Sequence, residues 1–144
     1  MSAPCLFCEI AAGRNPAAIV FEDDRFVAFL DHRPLFPGHV LLIPRTHYAT
    51  LPDLPVSETG PLFERVRLLS VAVQEAADAH GTFVAINNRV SQSVPHLHVH
   101  VVPRREKDGL KGFFWPRRKY LDNSEQENIQ IAIQQAMKRL SANE

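Results

Sequence analysis

The chain has 144 residues, 45% of them hydrophobic, which suits one domain with one buried core. Sixteen basic side chains balance sixteen acidic ones, so the basic excess that nonspecific nucleic-acid binding requires is missing. No apolar run approaches the roughly 18 residues of a membrane span, and the first residues lack the basic-then-apolar pattern of a secretory signal. The expected compartment is therefore the cytosol, with neither a membrane nor a specific nucleic acid as partner.

In chain order, Cys5 and Cys8 come first and form C-x-x-C. In a reducing compartment that spacing suits half of a metal site or a redox pair better than a structural disulfide. Leu6 to Ala12 predicts one short helical turn, ended by Gly13. Ile19 to Phe21 and Phe26 to Leu30 predict two strands joined at Glu22-Asp23-Asp24. Pro34, Pro37 and Gly38 mark a loop, and His39 to Ile43 reads as an apolar strand stopped by Pro44. Thr50 to Pro55 is loop. A helix is expected from about Ser57 to Ala79, because Leu62, Val66, Leu69, Val73 and Ala76 recur at helical spacing and Gly81 offers a C-terminal stop. Thr82 to Ile86 is a strand and Asn87 to Ser93 a polar turn. The run His96-Leu97-His98-Val99-His100-Val101-Val102 follows, closed by Pro103. Glu106 to Tyr120 is basic and aromatic, and reads as an ordered tail over the body. Ser124 with Glu127 predicts a capping box. The helix after it carries Ile129, Ala132, Ile133, Ala136, Met137 and Leu140 on one stripe. Strands, a helix, strands and a terminal helix amount to an α+β class with an antiparallel sheet.

The histidine run carries the chemistry. A strand sends alternate side chains to opposite faces, so His96, His98 and His100 share one face while Leu97, Val99 and Val101 enter a core. Such a face suits a metal site or nucleophilic attack on phosphorus. For attack, a neutral imidazole uses one nitrogen while the other donates to a fixed acceptor. The bland alternative is a sheet face with incidental histidines, which explains neither the number nor the spacing. Ser91-Gln92-Ser93, just upstream, offers donors for the nonbridging oxygens of a phosphate. A metal-binding strand has no need of them.

The histidine run matches the H-φ-H-φ-H-φ-φ signature of the histidine triad (HIT) superfamily. Cys5-Leu6-Phe7-Cys8-Glu9-Ile10, Phe29-Leu30-Asp31, Pro37-Gly38-His39, Ile43-Pro44-Arg45-Thr46-His47 and Gln92-Ser93-Val94-Pro95-His96 resemble further blocks of that family. The resemblance implies a five-stranded antiparallel sheet with two main helices, one domain over residues 1–144, and a homodimer. It also implies hydrolysis or transfer at the α-phosphate of a purine nucleotide conjugate: a dinucleoside polyphosphate, a nucleoside phosphoramidate, or an acyl or sulfo-adenylate.

Carried over by position, His98 is the nucleophile and His100 a phosphate contact. Gln92 and Ser93 hold phosphate oxygens or assist the leaving group. Asp31 meets the ribose hydroxyls, and Asn87 lies near the sugar-phosphate. Leu6, Phe7, Ile10 and Phe29 pack on the base, with plain core as their alternative; Asp31 has a turn role as its alternative. Ser91 stands where relatives often have glycine.

The same resemblance implies a structural zinc held by Cys5, Cys8, His47 and His96, against a reduced thiol pair with no metal. Pro103-Arg104-Arg105 and the segment Lys111 to Lys119, with Phe113, Phe114, Trp115, Arg117 and Arg118, read as a lid or polyphosphate-binding edge, or as a solvated loop with docked aromatics. Two rival functions stay open. One is a nucleotide-binding or signalling protein with little turnover. The other is a metalloenzyme using His96, His98 and His100 as zinc ligands.

Overall fold

The computed structural model describes residues 5–111 and 115–142. Phe113 and Phe114 lie outside the described residues. The described chain forms two compact units, Met1–Asp108 and Gly109–Glu144.

The first unit is a five-stranded antiparallel sheet with a helix on each face. Its strands are β1 (Ile19–Glu22), β2 (Phe26–Leu30), β3 (Val40–Pro44), β4 (Gly81–Ala85) and β5 (Val99–Arg104), in spatial order β1-β2-β3-β5-β4. The helices are α1 (Leu6–Ala11) and α2 (Val56–Ala76). Alternation along the central strands supplies both layers. Phe26, Ala28, Val40, Leu42, Val99 and Val101 pack with Leu62, Val66, Leu69 and Val73 of α2. The intervening Val27, Phe29, Leu41 and Ile43 pack with Phe7 and Ile10 of α1. With both faces covered, β2 and β3 are buried at almost every position and read as continuous apolar runs.

Asp23 fastens the β1–β2 turn. Its Oδ1 accepts from the N–H groups of Arg25 (2.9 Å) and Phe26 (2.7 Å). Its Oδ2 accepts from Nε (3.0 Å) and Nη2 (2.9 Å) of Arg65 on α2. The Arg65 guanidinium also lies 4.9 Å from the centre of the Phe26 ring.

Several boundaries differ from the sequence reading. Helix α2 stops at Ala76, and Gly81 opens β4 instead of ending the helix. The stop is a Schellman cap: Ala79 N–H reaches Gln74 O (2.9 Å), Asp78 N–H reaches Glu75 O (3.1 Å), and Asp78 takes a left-handed φ of 49°. Asp78 fills the position that glycine usually takes. Pro103 does not close the histidine strand but sits inside β5, paired with Thr82. Hydrogen-bonded pairing in β5 begins only at Val99, so His96 and His98 lie on its extended approach. The hairpin expected for the last two strands is present, with Ala85 opposite His100.

In the second unit α3 spans Asn123–Ser141. Its cap lies two residues earlier than expected. Asp122 accepts from Glu125 N–H (2.7 Å), and the Glu125 carboxylate accepts from Leu121 N–H (3.1 Å). Ile129, Ile133, Met137 and Leu140 of the apolar stripe are all exposed, as are Trp115 and Tyr120.

Candidate active site and metal centre

The β3–β5 register sets Leu41 opposite His100 and so puts His100 on the α1 face of the sheet. Upstream, Leu97 N–H donates to Tyr48 O (2.6 Å) and His96 N–H to Val94 O (2.8 Å), which holds the approach extended. Leu97, Val99 and Val101 are fully buried on the α2 face, as the alternation predicts. The imidazoles therefore share a side, yet each meets a different partner.

His98 is buried, and its Nδ1 lies 2.7 Å from the carbonyl oxygen of His96. A carbonyl only accepts, so Nδ1 carries the proton and Nε2 keeps its lone pair. The Phe7 ring meets His98 edge-on at 5.1 Å and limits how far the imidazole can turn.

His96 has the opposite tautomer. Its Nε2–H donates to Pro44 O at 2.8 Å, leaving the Nδ1 lone pair 3.3 Å from Cys5 Sγ and 3.5 Å from Cys8 Sγ. His47 Nδ1 lies 3.3 Å from Cys8 Sγ. One ligand atom from each of these four residues falls within 4.8 Å of the others. A tetrahedral zinc with bonds of about 2.3 Å to sulfur and about 2.0 Å to nitrogen needs S···N separations of about 3.5 Å, so the residues fit the ion. Burial holds His96 below the usual histidine range, against the pull of the Pro44 carbonyl, and so keeps it neutral as a ligand must be. Burial and the neighbouring Cys5 push the Cys8 thiol up to about 11. A metal must therefore displace a proton there.

His100 lies beside His39, a residue to which the sequence reading gives no role. His39 Nε2 is 3.0 Å from His100 Nδ1, and His39 Nδ1 accepts from Leu35 N–H at 3.1 Å. Burial lowers both, and His98 and His39 add to the effect at His100, which is pushed down to about 4. The one signal for His39 was its place in Pro37-Gly38-His39. Asp31 joins this group: its Oδ2 lies 3.8 Å from His39 Nε2, while its Oδ1 accepts from Arg33 N–H (2.9 Å). That second bond is the turn role weighed for Asp31.

The polar loop is braced against the segment that follows β3. The Gln92 side chain donates to Ala49 O (2.6 Å) and accepts from Arg89 N–H (2.9 Å), so it ties the loop to the segment after β3. Asn88 Oδ1 accepts from Leu51 N–H (2.9 Å), while Asn87 and Ser93 are exposed. Arg89 and Ser91 take left-handed φ values of 70° and 60°. The backbone at Ser91 is thus one that glycine adopts freely and serine resists. Of the four apolar residues set against a base, Phe7, Ile10 and Phe29 belong to the α1-facing core, and Leu6 is 43% exposed.

A family model described as HIT domain matches residues 12–107, two thirds of the chain. This chain belongs to the HIT family. A HIT-like protein of Saccharolobus solfataricus is 37% identical over 140 residues, spanning 94% of this HIT chain and 99% of that protein. An adenylylsulfatase of Arabidopsis thaliana is 37% identical over 108 residues, 74% of this chain but only 55% of that longer protein. An adenosine 5'-monophosphoramidase of Candida albicans is 32% identical over 120 residues, 79% of each chain. Among solved structures, a Zn-bound histidine triad family protein of Mycobacterium smegmatis superposes with a TM-score of 0.70 at 35% identity, covering 97% of both chains. The family match begins after Cys5 and Cys8. Half of the candidate metal set is therefore a feature of this HIT chain that the domain match does not carry.

Proposed function

We propose that this HIT chain hydrolyses purine nucleotide conjugates at the α-phosphate through a nucleotidyl-His98 intermediate. One observation carries the reading: the His98 Nδ1–H is held by the His96 carbonyl at 2.7 Å, which aims a free Nε2 lone pair out of a buried ring. Nε2 bonds to the α-phosphorus while the bond to the leaving group breaks and its electron pair departs with that group. Water then attacks the phosphorus, the P–N bond breaks, and a nucleoside monophosphate leaves. His100 and Ser93 donate to phosphoryl oxygens as charge builds there. Gln92 shapes the loop that presents Ser93. Asp31 takes the ribose hydroxyls, Asn87 lies by the sugar-phosphate, and Leu6 with the Phe7, Ile10 and Phe29 cluster flanks the base. The relatives named as an adenylylsulfatase and a phosphoramidase support nucleotide conjugates as the substrate class.

Cys5, Cys8, His47 and His96 would hold a structural zinc, which when bound supplies a cross-link between the N-terminus and the triad strand. The reading includes a homodimer, for which β4 offers a sheet edge and α2 exposes Leu68 and Val71. It also includes a cytoplasmic location, where the free thiols of Cys5 and Cys8 stay reduced.

The test is intact-protein mass spectrometry after brief mixing with an adenosine phosphoramidate and, separately, with diadenosine tetraphosphate. Wild type is expected to show a transient adenylate adduct that His98→Ala lacks, and the faster substrate identifies the leaving group. No adduct and no product from either compound overturns the reading in favour of nucleotide binding without turnover.

A further inference from the structure

Among the described residues, two clusters gather metal-type donors: Cys5, Cys8, His47 and His96, and separately Asp31, His39 and His100. The partners of the far nitrogens tell them apart. An imidazole that ligates a metal keeps its other N–H for an acceptor. His96 meets that requirement through the Pro44 carbonyl. His39 does not, because its Nδ1 faces the backbone N–H of Leu35 at 3.1 Å. That nitrogen must accept, so neutral His39 carries its proton on Nε2, inside the cluster. Ligation through Nε2 would drive the proton onto Nδ1, N–H against N–H. The second cluster is built around a proton rather than an ion.

The destination of that proton follows from distance. Asp31 Oδ2, at 3.8 Å, is beyond hydrogen-bonding range, whereas His100 Nδ1 is at 3.0 Å. His39 therefore donates to His100 Nδ1, which leaves Nε2–H as the one donor on the His100 ring. The loop that delivers His39 is pinned by Asp31 N–H to His39 O (2.9 Å) and His39 N–H to Phe36 O (3.0 Å). Gly38 makes this possible: its φ is +103°, and a Cβ there would come 3.3 Å from Pro103 Cγ.

We propose that His39 is a positioning residue which, through the chain Leu35 N–H to His39 to His100, locks His100 as an Nε2–H donor for a phosphoryl oxygen of the substrate. The phosphoryl partner rests on the hydrolase reading above; the tautomer does not. His39→Gln keeps an amide N–H near the place of Nε2, and His39→Leu removes it.

The experiment is histidine-selective 15N NMR on the full chain. In wild type, His100 is expected to show a pyridine-type Nδ1 and a pyrrole-type Nε2. The pattern becomes mixed in His39→Leu and is restored in His39→Gln. Losing one donor aimed at developing charge costs about 10²–10³ in kcat; because part of the His100 population keeps the right tautomer, His39→Leu is expected to lose about tenfold in kcat with KM little changed. Protonation of His100 on Nδ1 in wild type, a tautomer unmoved in His39→Leu, or ligation shifts at His39 and His100 on titrating zinc ion beyond the Cys5–Cys8 site would each overturn the proposal. If the tautomers behave as stated while wild type turns over no nucleotide conjugate, the relay stands and the hydrolase reading falls.

Discussion

Acidification offers a direct measure of how firmly the fold keeps His100 neutral. Burial, aided by His98 and His39, depresses His100 from 6.5 to about 4 in the folded chain. Between those values the unfolded chain binds a proton that the folded chain does not. Stability therefore rises with pH across the window: it is fully present above about 6.5 and is lost progressively as the pH falls toward about 4. A displacement of that size corresponds to about 3 kcal/mol over the whole window, and to about 2 kcal/mol by pH 5 or so. His39, also lowered by burial, adds to the loss with the same sign. The assay is urea unfolding of wild type and His100→Gln from about pH 7 to about pH 5, with chelator present throughout so that metal release contributes to neither. Wild type should lose about 2 kcal/mol more than the variant over this range. Parallel pH dependences would mean that His100 is not held neutral by the fold, and the reasoning about its burial would fail.

Three further outcomes follow from the contacts. Elemental analysis should find zinc in His98→Ala and find it lost from Cys8→Ser, because Cys8 Sγ approaches both His47 and His96 whereas His98 belongs to no ligand set among the described residues; the reverse pattern would favour a three-histidine metal site. Asp23→Ala removes the acceptor of four hydrogen bonds, two that close the β1–β2 turn and two that tie it to Arg65 of α2. It should destabilise by about 2–4 kcal/mol in urea while leaving the adduct at His98 intact. Ser91→Gly relieves a left-handed φ of 60° and should stabilise by about 0.5–1 kcal/mol, where a loss of stability would mean that the serine side chain holds the turn.

Periodicity made much of the fold legible. The apolar runs of β2 and β3, the helical spacing of α2 and the alternation from His96 to Val101 each settle which face a residue takes, and facing is a local property. What escaped depends on partners distant in sequence. Asp78 caps α2 because Ala79 and Gln74 can bond there, not because of a glycine. Gln92 also ties its loop to Ala49 and accepts from Arg89 N–H, contacts that no motif announces. His39 stands out only as part of Pro37-Gly38-His39, because its role needs Leu35 on one side and His100, 61 residues away, on the other. The Cys₂His₂ set was legible only through resemblance, since C-x-x-C names two ligands and the fold supplies the other two.

The three triad histidines show why spacing alone leaves the chemistry open. Pattern makes them equivalent; acceptors and donors make them different. The Pro44 carbonyl turns the His96 lone pair toward two thiols, the His96 carbonyl frees Nε2 of His98, and His39 consumes the lone pair of His100. A three-histidine metal site would need three lone pairs converging on one point. His96 spends its lone pair on the sulfur side, and His100 presents a proton where a ligand needs an electron pair. Only His98 keeps a free lone pair among the three. It stands between a neighbour committed to structure and a neighbour committed to donation, the arrangement that attack on an electrophile carrying anionic oxygens requires.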